Sequence, residues 1–252
     1  MARALEQLER RRDRVLDGAD VALGDTIADV GAGTGLLALG AVERVGADGD
    51  VLAIDISVDA LEQLRTHTAA PNISYLVGSA DVLPLPDESV DAVVTRSVLI
   101  YVADKREAAR EFARVLRRGG CVSMFEPINS RNLQLTDAVD CSELGELAER
   151  VRALNTQLYA NPDDPMLNFD ESDLVALFED AGFAVELELG VDEGEVPGER
   201  YLNQVGAPGR PTVRERWAAA FGTDELERLV TFVESRTIPW RVTHAFLTGR
   251  KA

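Results

Sequence analysis

Residues 26–36 read TIADVGAGTGL, in which a short apolar strand runs directly into three glycines spaced two residues apart. The apolar pattern then changes to that of a helix, predicted over residues 36–45. Glycine allows the backbone to turn sharply and lets a ligand approach without a Cβ atom in the way. The first turn of a helix adds N–H groups that have no partner within the helix. A strand, a glycine-rich turn and a helix in this order therefore predict a ligand-binding site.

The spacing of the glycines separates two classes of ligand, dinucleotides and S-adenosylmethionine. Dinucleotide sites use G-x-G-x-x-G, whose third glycine allows the helix to pack closely on the strand. Counted from Gly31, that position holds Leu36, and the spacing is G-x-G-x-G. Asp55 ends the next predicted strand, where a carboxylate can accept hydrogen bonds from both hydroxyls of an adenosine ribose. The pattern favours S-adenosylmethionine, while a dinucleotide-dependent oxidoreductase and a non-catalytic S-adenosylmethionine-binding protein stay open as alternatives.

Outward from this turn, short apolar runs alternate with amphipathic helices, which is typical of βαβ units in a parallel sheet. Strands are predicted over 26–30, 51–54, 73–77, 90–95, 121–125, 184–189 and 242–248. Helices are predicted over 3–16, 36–45, 58–66, 105–116, 144–158, 170–181, 212–221 and 224–234. The acidic stretch 192–210 is rich in glycine and proline and is predicted to be a loop.

Five segments with recognisable motifs follow one another along the chain: residues 27–35, Asp55, residues 78–87, residues 91–98 and residues 114–120. In this order they resemble class I S-adenosylmethionine-dependent methyltransferases, the group that includes ubiquinone/menaquinone C-methyltransferases and many small-molecule enzymes. The resemblance spans roughly half of the chain, from Asp25 to Pro127. It implies a Rossmann-like α/β fold with seven mostly parallel strands in the order 3-2-1-4-5-7-6, strand 7 being antiparallel.

The resemblance also implies a division of the chain. A single methyltransferase domain is expected over 1–252, with an N-terminal helix over 1–20 and a cofactor-binding core over 24–127. Residues 129–169 and 192–239 are then helical insertions that form a lid and the substrate pocket. The first insertion carries one apolar stripe at helical spacing: Leu144, Leu147, Val151, Leu154 and Leu158.

Residues that would bind S-adenosylmethionine follow from the matched motifs. The resemblance implies Asp29 and the glycine turn for the methionine end and the ribose, Asp55 for the ribose hydroxyls, and the end of the fourth strand for the amino acid moiety. The expected cofactor-binding residues are Asp29, Gly31, Ala32, Gly33, Thr34, Gly35, Asp55, Ile56, Ser79, Ala80, Asp81, Arg96 and Ser97. Ser79 departs from relatives that often carry aspartate there, so either Ser79 or Asp81 would accept from the adenine amino group.

The expected reaction transfers a methyl group from S-adenosylmethionine to a small, partly apolar molecule by in-line displacement. Such a displacement needs a base only if the nucleophile must lose a proton. Glu126 and Tyr101, near the ends of predicted strands, are the candidate catalytic residues. His67 and His244 are predicted to be a surface and a sheet histidine. Whether oxygen, nitrogen or carbon is methylated stays open.

Composition limits the partners. With 44 acidic and 26 basic residues the formal net charge is −18, which disfavours nucleic acid and anionic membranes. The two cysteines, Cys121 and Cys141, lack metal-site spacing, so no metal is expected, and the missing cysteine neighbour of Cys141 counts against arsenite chemistry. The charged residues 1–20 do not resemble a signal peptide, and no apolar run is long enough to span a membrane, so a cytoplasmic location is expected. The oligomeric state is left open.

Overall fold

The computed structural model describes residues 2–207 and 209–252, with side chains from residue 5 onward, so Met1 and Pro208 lie outside the described residues. Its strands are β1 (Thr26–Val30), β2 (Asp50–Asp55), β3 (Ile73–Val77), β4 (Val90–Arg96), β5 (Leu116–Pro127), β6 (Phe183–Pro197) and β7 (Thr237–Lys251). They form one sheet in the order β3-β2-β1-β4-β5-β7-β6, and β7 runs antiparallel to β5. The predicted fold class and strand order are therefore confirmed.

The helices lie between the strands and in the two expected insertions. They are α1 (Ala2–Gly18), α2 (Leu36–Val45), α3 (Val58–His67), α4 (Lys105–Val115), α5 (Leu135–Ala138), α6 (Glu146–Tyr159), α7 (Glu171–Asp180), α8 (Gly198–Leu202), α9 (Val213–Ala220) and α10 (Thr223–Glu234). Single 3-10 turns occur at Leu99–Tyr101, Asn129–Arg131 and Ser142–Leu144. Among the described residues, none of the helices combines the length and the apolar character needed to cross a membrane.

Local capping signals explain where three helices begin. The Ser57 hydroxyl accepts from the Ala60 N–H at 3.2 Å and starts α3. Asp170 with Asp173, and Thr212 with Glu215, form capping boxes at the starts of α7 and α9. Each cap satisfies N–H groups that would otherwise lack a partner, and so fixes the first turn of its helix.

The predicted boundary between α4 and β5 was wrong. The helix ends at Val115, and β5 begins at Leu116 rather than at Cys121. Leu116 pairs with Val90 while Cys121 pairs with Ala92, so the residues between them bulge out of the strand. Gly119 lies in this bulge at φ 76°, a backbone conformation that glycine adopts without strain.

The predicted loop over 192–210 was also wrong in its first half. There β6 continues to Pro197 and α8 follows directly at Gly198. The neighbouring β7 is equally long, and pairing along it satisfies the backbone of a segment whose acidic, glycine-containing sequence has low strand propensity.

By its internal contacts the structure divides into two compact units. The first comprises the described residues up to Ile128 together with Asp163–Gly190 and His244–Ala252. Its main core packs α1, α2 and α3 on the central strands, through the buried side chains Leu16, Leu37, Leu64, Ile27, Val51, Val94 and Phe125. Phe112 of α4 and Phe178 of α7 form a further contact, with ring centroids 6.2 Å apart. This unit contains every residue expected to bind the cofactor.

The second unit comprises Asn129–Pro162 and Val191–Thr243 and has a core of its own. The predicted stripe of α6 contributes Leu147 and Val151 to this core. They share it with Trp217 of α9, Leu229 and Phe232 of α10, and Ile238 of β7. Because its apolar face is already packed against these helices, α6 is part of a core and not a single helix that can separate alone.

Candidate functional site

The glycine turn at the carboxyl end of β1 uses its glycines for two different reasons. Gly31 and Gly35 have φ 72° and 96°, and a Cβ atom on them would overlap the side chains of Val98 and Leu64. Gly33 has φ 52° and no atom within 4 Å of the place where its Cβ would be. Protein packing thus requires glycine at the outer two positions, whereas the middle glycine leaves open space beside the backbone. Such a cradle suits a ligand that approaches the chain closely.

Asp29 lies at the base of this turn and is only 1% exposed. One side of its carboxylate accepts from the N–H of Ala38 in the first turn of α2. Among the residues that the structure describes, Oδ2 has no hydrogen-bond partner. Burial raises the pKa of Asp29 to about 7, the nearby Asp55 carboxylate adds to the shift, and Arg96 opposes it. A buried carboxylate with one unused oxygen suits a ligand group that donates hydrogen bonds or carries positive charge.

The pKa of Asp29 leads to an expected pH dependence of ligand affinity. With a pKa of about 7, the carboxyl of the free protein should be largely protonated at pH 6 and ionised at pH 8, and the ammonium group of a ligand bound beside it would favour the ionised form. Binding then releases a proton, so affinity for S-adenosylhomocysteine should rise about tenfold from pH 6 to pH 8. Calorimetry in buffers of different ionisation enthalpy measures both the affinity and the number of protons released on binding. Glu126 has a similar pKa, so Asp29→Asn is the control, and an unchanged pH dependence in that variant would exclude Asp29 as its origin.

Asp55, at the end of β2, holds the glycine turn in place. Its Oδ2 accepts from the N–H of Gly33 at 2.7 Å, and its Oδ1 accepts from the N–H of Ser57 at 2.8 Å. Each carboxylate oxygen can accept a second hydrogen bond. The half-buried carboxylate therefore fixes the cradle and still has acceptor capacity for a ligand beside it.

Exposed apolar side chains continue the site beyond the carboxyl ends of β2 and β3. Ile56 is 74% exposed and Val82 71%, although both are large aliphatic residues. Ser79 and Asp81, the two alternatives for an adenine contact, are hydrogen-bonded to each other, since the Ser79 hydroxyl donates to the Asp81 carboxylate. Ala80 between them is buried. Apolar side chains next to a polar pair suit a flat heterocycle with hydrogen-bonding edges.

Arg96 ends β4, and its guanidinium is half buried. Within the described part of the chain it has no hydrogen-bond or ion-pair partner. Burial lowers its pKa, and the positive charge of Arg11 on α1 lowers it further. Asp29, Glu126 and Tyr101 oppose that shift. Five unused donors on a partly buried cation favour an anionic ligand group such as a carboxylate.

Ser97 follows Arg96 with φ 56°, an uncommon conformation for a residue other than glycine. Its N–H donates to the Phe125 carbonyl at 2.8 Å. The chain therefore turns away from the sheet at this residue, and the turn leads into the 3-10 segment ending at Tyr101. Tyr101 itself is 53% exposed, and its expected catalytic role stays a prediction.

Glu126, expected as a catalytic residue, is fully buried. Its carboxylate accepts from the N–H groups of Val98 at 2.8 Å, Leu99 at 3.0 Å and Ile100 at 3.4 Å. Burial raises its pKa to about 7, while these three bonds and the Lys105 charge oppose the shift. In the structure, Glu126 caps the turn after β4 through these hydrogen bonds. Its expected role as a base stays a prediction.

Two basic residues near this site were missed from the sequence. The guanidinium of Arg11 stacks over the Phe125 ring at 4.6 Å from its centroid, although the arginine run of α1 indicates only a charged helix. Lys105 is buried at the start of α4, and the available signal was its rarity, since Lys251 is the only other lysine.

The remaining candidates lie as expected or apart from the site. His67 is the exposed last residue of α3. His244 is a buried sheet residue whose ring lies 4.8 Å from Phe125 and 5.5 Å from Phe246. Over residues 2–207 and 209–252, no group of three or more histidine, cysteine or acidic side chains is placed to hold a metal ion.

Comparisons with known proteins agree with this geometry. A family model described as a methyltransferase domain matches residues 28–124, which include the turn, Asp55 and Arg96. The ubiquinone/menaquinone biosynthesis C-methyltransferase UbiE of Hahella chejuensis is 31% identical over 166 residues, which cover 60% of this chain and 67% of that protein. An arsenite methyltransferase of Halobacterium salinarum is 30% identical over 132 residues, covering 46% of this chain and 34% of that protein. The chain thus spans about a third of one curated relative and two thirds of the other.

A solved structure extends the likeness of fold to almost the whole chain. The YcgJ protein of Bacillus subtilis superposes with a TM-score of 0.61 at 18% identity, over 96% of this chain and 98% of that one. At this identity the likeness concerns the fold alone.

Proposed function

Because the chain belongs to the class I S-adenosylmethionine-dependent methyltransferases, we propose that it methylates a small, partly apolar molecule. The observation that carries this proposal is the open cradle at Gly33, flanked by the unused Oδ2 of Asp29 and by the Asp55 carboxylate. When bound, S-adenosylmethionine supplies a methyl group on a sulfonium centre. The residues present fit that molecule, since an ammonium, a carboxylate, a ribose and an adenine each find a complementary group.

The binding roles follow from this match. Asp29 and the backbone of the glycine turn would hold the methionine end, with Arg96 and Ser97 beside its carboxylate. Asp55 would accept from the ribose hydroxyls. Ile56 would lie against the adenine, and the hydrogen-bonded pair of Ser79 and Asp81 would face its amino group. These are the roles that the sequence led us to expect. Because the Ser79 hydroxyl donates to the Asp81 carboxylate, the two alternatives for the adenine contact would act together.

Catalysis would depend mainly on orientation, which is worth about 7–11 kcal/mol when two reactants are held in line. Glu126 fixes the turn through three N–H groups, and the turn places the exposed Tyr101 at its end. We therefore assign Tyr101 a contact with the acceptor and Glu126 a positioning role. A proton acceptor is needed only if the acceptor molecule loses a proton as it is methylated.

The nature of the acceptor follows less directly. Three large apolar side chains of the insertions, Met166, Phe169 and Trp217, are buried. Tyr159 and Tyr201 are half buried in the second unit. Cys121 and Cys141 are buried in different units, and burial raises the pKa of both thiols. Since a thiolate is the form that binds soft metalloids, this disfavours arsenite and favours an organic acceptor.

Two measurements test the proposed function. Calorimetry with S-adenosylmethionine, S-adenosylhomocysteine and NAD should give binding of the first two and not of NAD. A screen of phenols, quinols, amines and arsenite with a labelled methyl donor should then give transfer to an organic acceptor. Binding of NAD alone would favour an oxidoreductase, and tight binding with no transfer would favour a non-catalytic binding protein.

The lid expected over residues 129–169 and 192–239 stays a prediction and gives an expected exchange result. Since α6 shares a core with α9 and α10, protection on binding S-adenosylhomocysteine plus an acceptor should change in all three helices together. Hydrogen exchange with and without both ligands measures this. Unchanged rates over residues 140–160, with slowing only in the glycine turn, would make α6 a structural helix without a lid role.

Nucleic acid is not expected as a substrate. The net charge of −18 opposes binding to phosphate backbones. A gel-shift assay at ~50 mM salt should show no complex with duplex or single-stranded nucleic acid at micromolar protein. Salt-sensitive binding below micromolar would contradict this and make RNA a candidate acceptor. The cytoplasmic location expected from the sequence stays a prediction.

A further inference from the structure

Lys105 is a buried cation whose hydrogen-bonding capacity is fully used. Its Nζ donates to the carbonyl oxygens of Val102 at 3.0 Å and Pro165 at 2.8 Å, and to Oδ1 of Asn168 at 3.1 Å. An ammonium has three N–H donors, so each one has a partner. The ammonium also lies over the Phe169 ring, 4.8 Å from its centroid. One side chain thus joins two backbone segments that are about 60 residues apart in sequence.

The first of these segments is the turn after β4, which contacts the glycine turn. Val98 fills the space beside Gly31 that a Cβ atom would otherwise occupy. Glu126 fixes the N–H groups of Val98, Leu99 and Ile100. Val102 closes the same turn by donating its N–H to the Leu99 carbonyl at 3.1 Å. Packed and hydrogen-bonded backbone thus connects the glycine turn to the Lys105 ammonium.

The second segment comprises residues 164–169, which precede α7 in the same compact unit. It is folded on itself, since the N–H groups of Leu167 and Asn168 both donate to the Asp164 carbonyl at 3.0 Å. The Asp164 side chain is buried and accepts from the N–H of Met166 at 3.0 Å. Two hydrogen bonds from Lys105, to the Pro165 carbonyl and to Oδ1 of Asn168, connect this segment to the start of α4.

The electrostatic surroundings of Lys105 favour a cation at this position. Burial lowers the pKa of Lys105 to about 8, and the negative charges that face it, Glu126 from β5 and Asp164 from the loop, oppose that shift. A buried ammonium is unfavourable for stability unless it is paired and hydrogen-bonded. An apolar side chain would fill the same space without the cost of desolvating a charge. The structural contribution of the lysine is therefore its hydrogen bonds to three acceptors.

We propose that Lys105 is a positioning residue that links the turn at 98–102 to the segment 164–169, so that ligand binding at the glycine turn also orders that segment. This inference rests on the proposed function, because it needs S-adenosylmethionine or its product to bind at Gly31–Gly35. It adds to that function a residue outside the expected site, and it makes the ordering of residues 164–169 a consequence of cofactor occupancy.

Hydrogen exchange with saturating S-adenosylhomocysteine tests the link. In the wild-type protein, exchange should slow about fivefold or more both at residues 98–105 and at Leu167 and Asn168. In Lys105→Met the slowing should persist at 98–105 and disappear at 164–169, with affinity by calorimetry changed less than about threefold. Lys105→Arg keeps the charge and the donors. Its slowing of exchange at 164–169 on ligand binding should therefore be closer to that of the wild type than to that of the methionine variant.

Lys251→Met is the matched control, because Lys251 donates to the Leu116 carbonyl at 2.6 Å and pairs with Glu88 at 3.6 Å, and both partners lie outside the two segments. It should behave as the wild type does. If Lys105→Met fails to fold, Asn168→Ala removes one of the three acceptors of the Lys105 ammonium and should still reduce the slowing of exchange at 164–169. Equal slowing at 164–169 in Lys105→Met or Asn168→Ala, or none in a wild type that binds the ligand, would overturn the link. A wild type that does not bind S-adenosylhomocysteine would instead refute the proposed function, and the inference with it.

Discussion

Gly33→Val is expected to abolish binding of S-adenosylmethionine, with a loss of at least ~3 kcal/mol or about 100-fold in affinity. The space beside Gly33 is empty in the protein itself, so a larger side chain meets no neighbour there and instead fills the cradle. The fold should survive, because the added strain is only that of a branched residue at positive φ, about 1–3 kcal/mol. Calorimetry and thermal unfolding of the purified variant measure the two effects separately.

The chain offers a matched control for this prediction. Gly24 also has positive φ, at 86°, and also has no atom within 4 Å of its absent Cβ, but it precedes β1 at the opposite end of the strand. Gly24→Val should therefore lose similar stability and keep full affinity. If both variants bind as the wild type does, the cradle at Gly33 is not the ligand site. Gly31→Ala is a poorer test, since its methyl group would overlap Val98 and disturb the fold.

Asp55→Ala is expected to weaken binding by roughly 2–4 kcal/mol, which is about 30- to 1000-fold. The variant removes the proposed acceptor for two ribose hydroxyls and also leaves the N–H groups of Gly33 and Ser57 without their partner. Part of the loss should therefore come from a less ordered glycine turn. Hydrogen exchange in the free protein should show this as faster exchange at residues 31–35.

Two further variants separate these contributions. Asp55→Asn keeps one oxygen acceptor but loses the charge, so its affinity should lie between those of the wild type and Asp55→Ala. Asp50→Ala removes an exposed carboxylate at the other end of β2 and should leave binding unchanged. Equal affinity in Asp55→Ala and the wild type would place the ribose elsewhere, even if the loop exchanges faster.

Much of the fold is encoded in local sequence. The bounds of β1, α2 and β3 match the predictions residue for residue, because each is set by a short apolar run with glycine or polar residues next to it. The helix starts at Ser57, Asp170 and Thr212 follow from caps within three residues of the helix. The strand order was predicted too, but only through the resemblance of the ordered motifs to a known family.

The grouping of the glycine turn with two carboxylates was likewise predicted from the sequence. Asp29, the three glycines and Asp55 lie on segments whose spacing is fixed by one βαβ unit, so a linear pattern is enough to bring them together. The pattern did not show which of the three glycines are required by packing within the protein. Packing against Val98 and Leu64 explains two of the glycines, and only Gly33 faces open space.

Tertiary structure alone decided the other features. The lengths of β6 and β7 depend on their pairing with each other, which overrides the low strand propensity of the acidic stretch after Val191. Glu126 accepts a hydrogen bond from the N–H of Val98, which is 28 residues away in sequence, and Lys105 donates one to the Pro165 carbonyl, which is 60 residues away. Hydrogen bonds across such separations leave no periodic signal in the sequence, because they depend on where the sheet places the ends of its strands. The sequence therefore determined most of the elements and the glycine turn, whereas the lengths of β6 and β7, the burial of charge and the partners of each buried group were set by the packed structure.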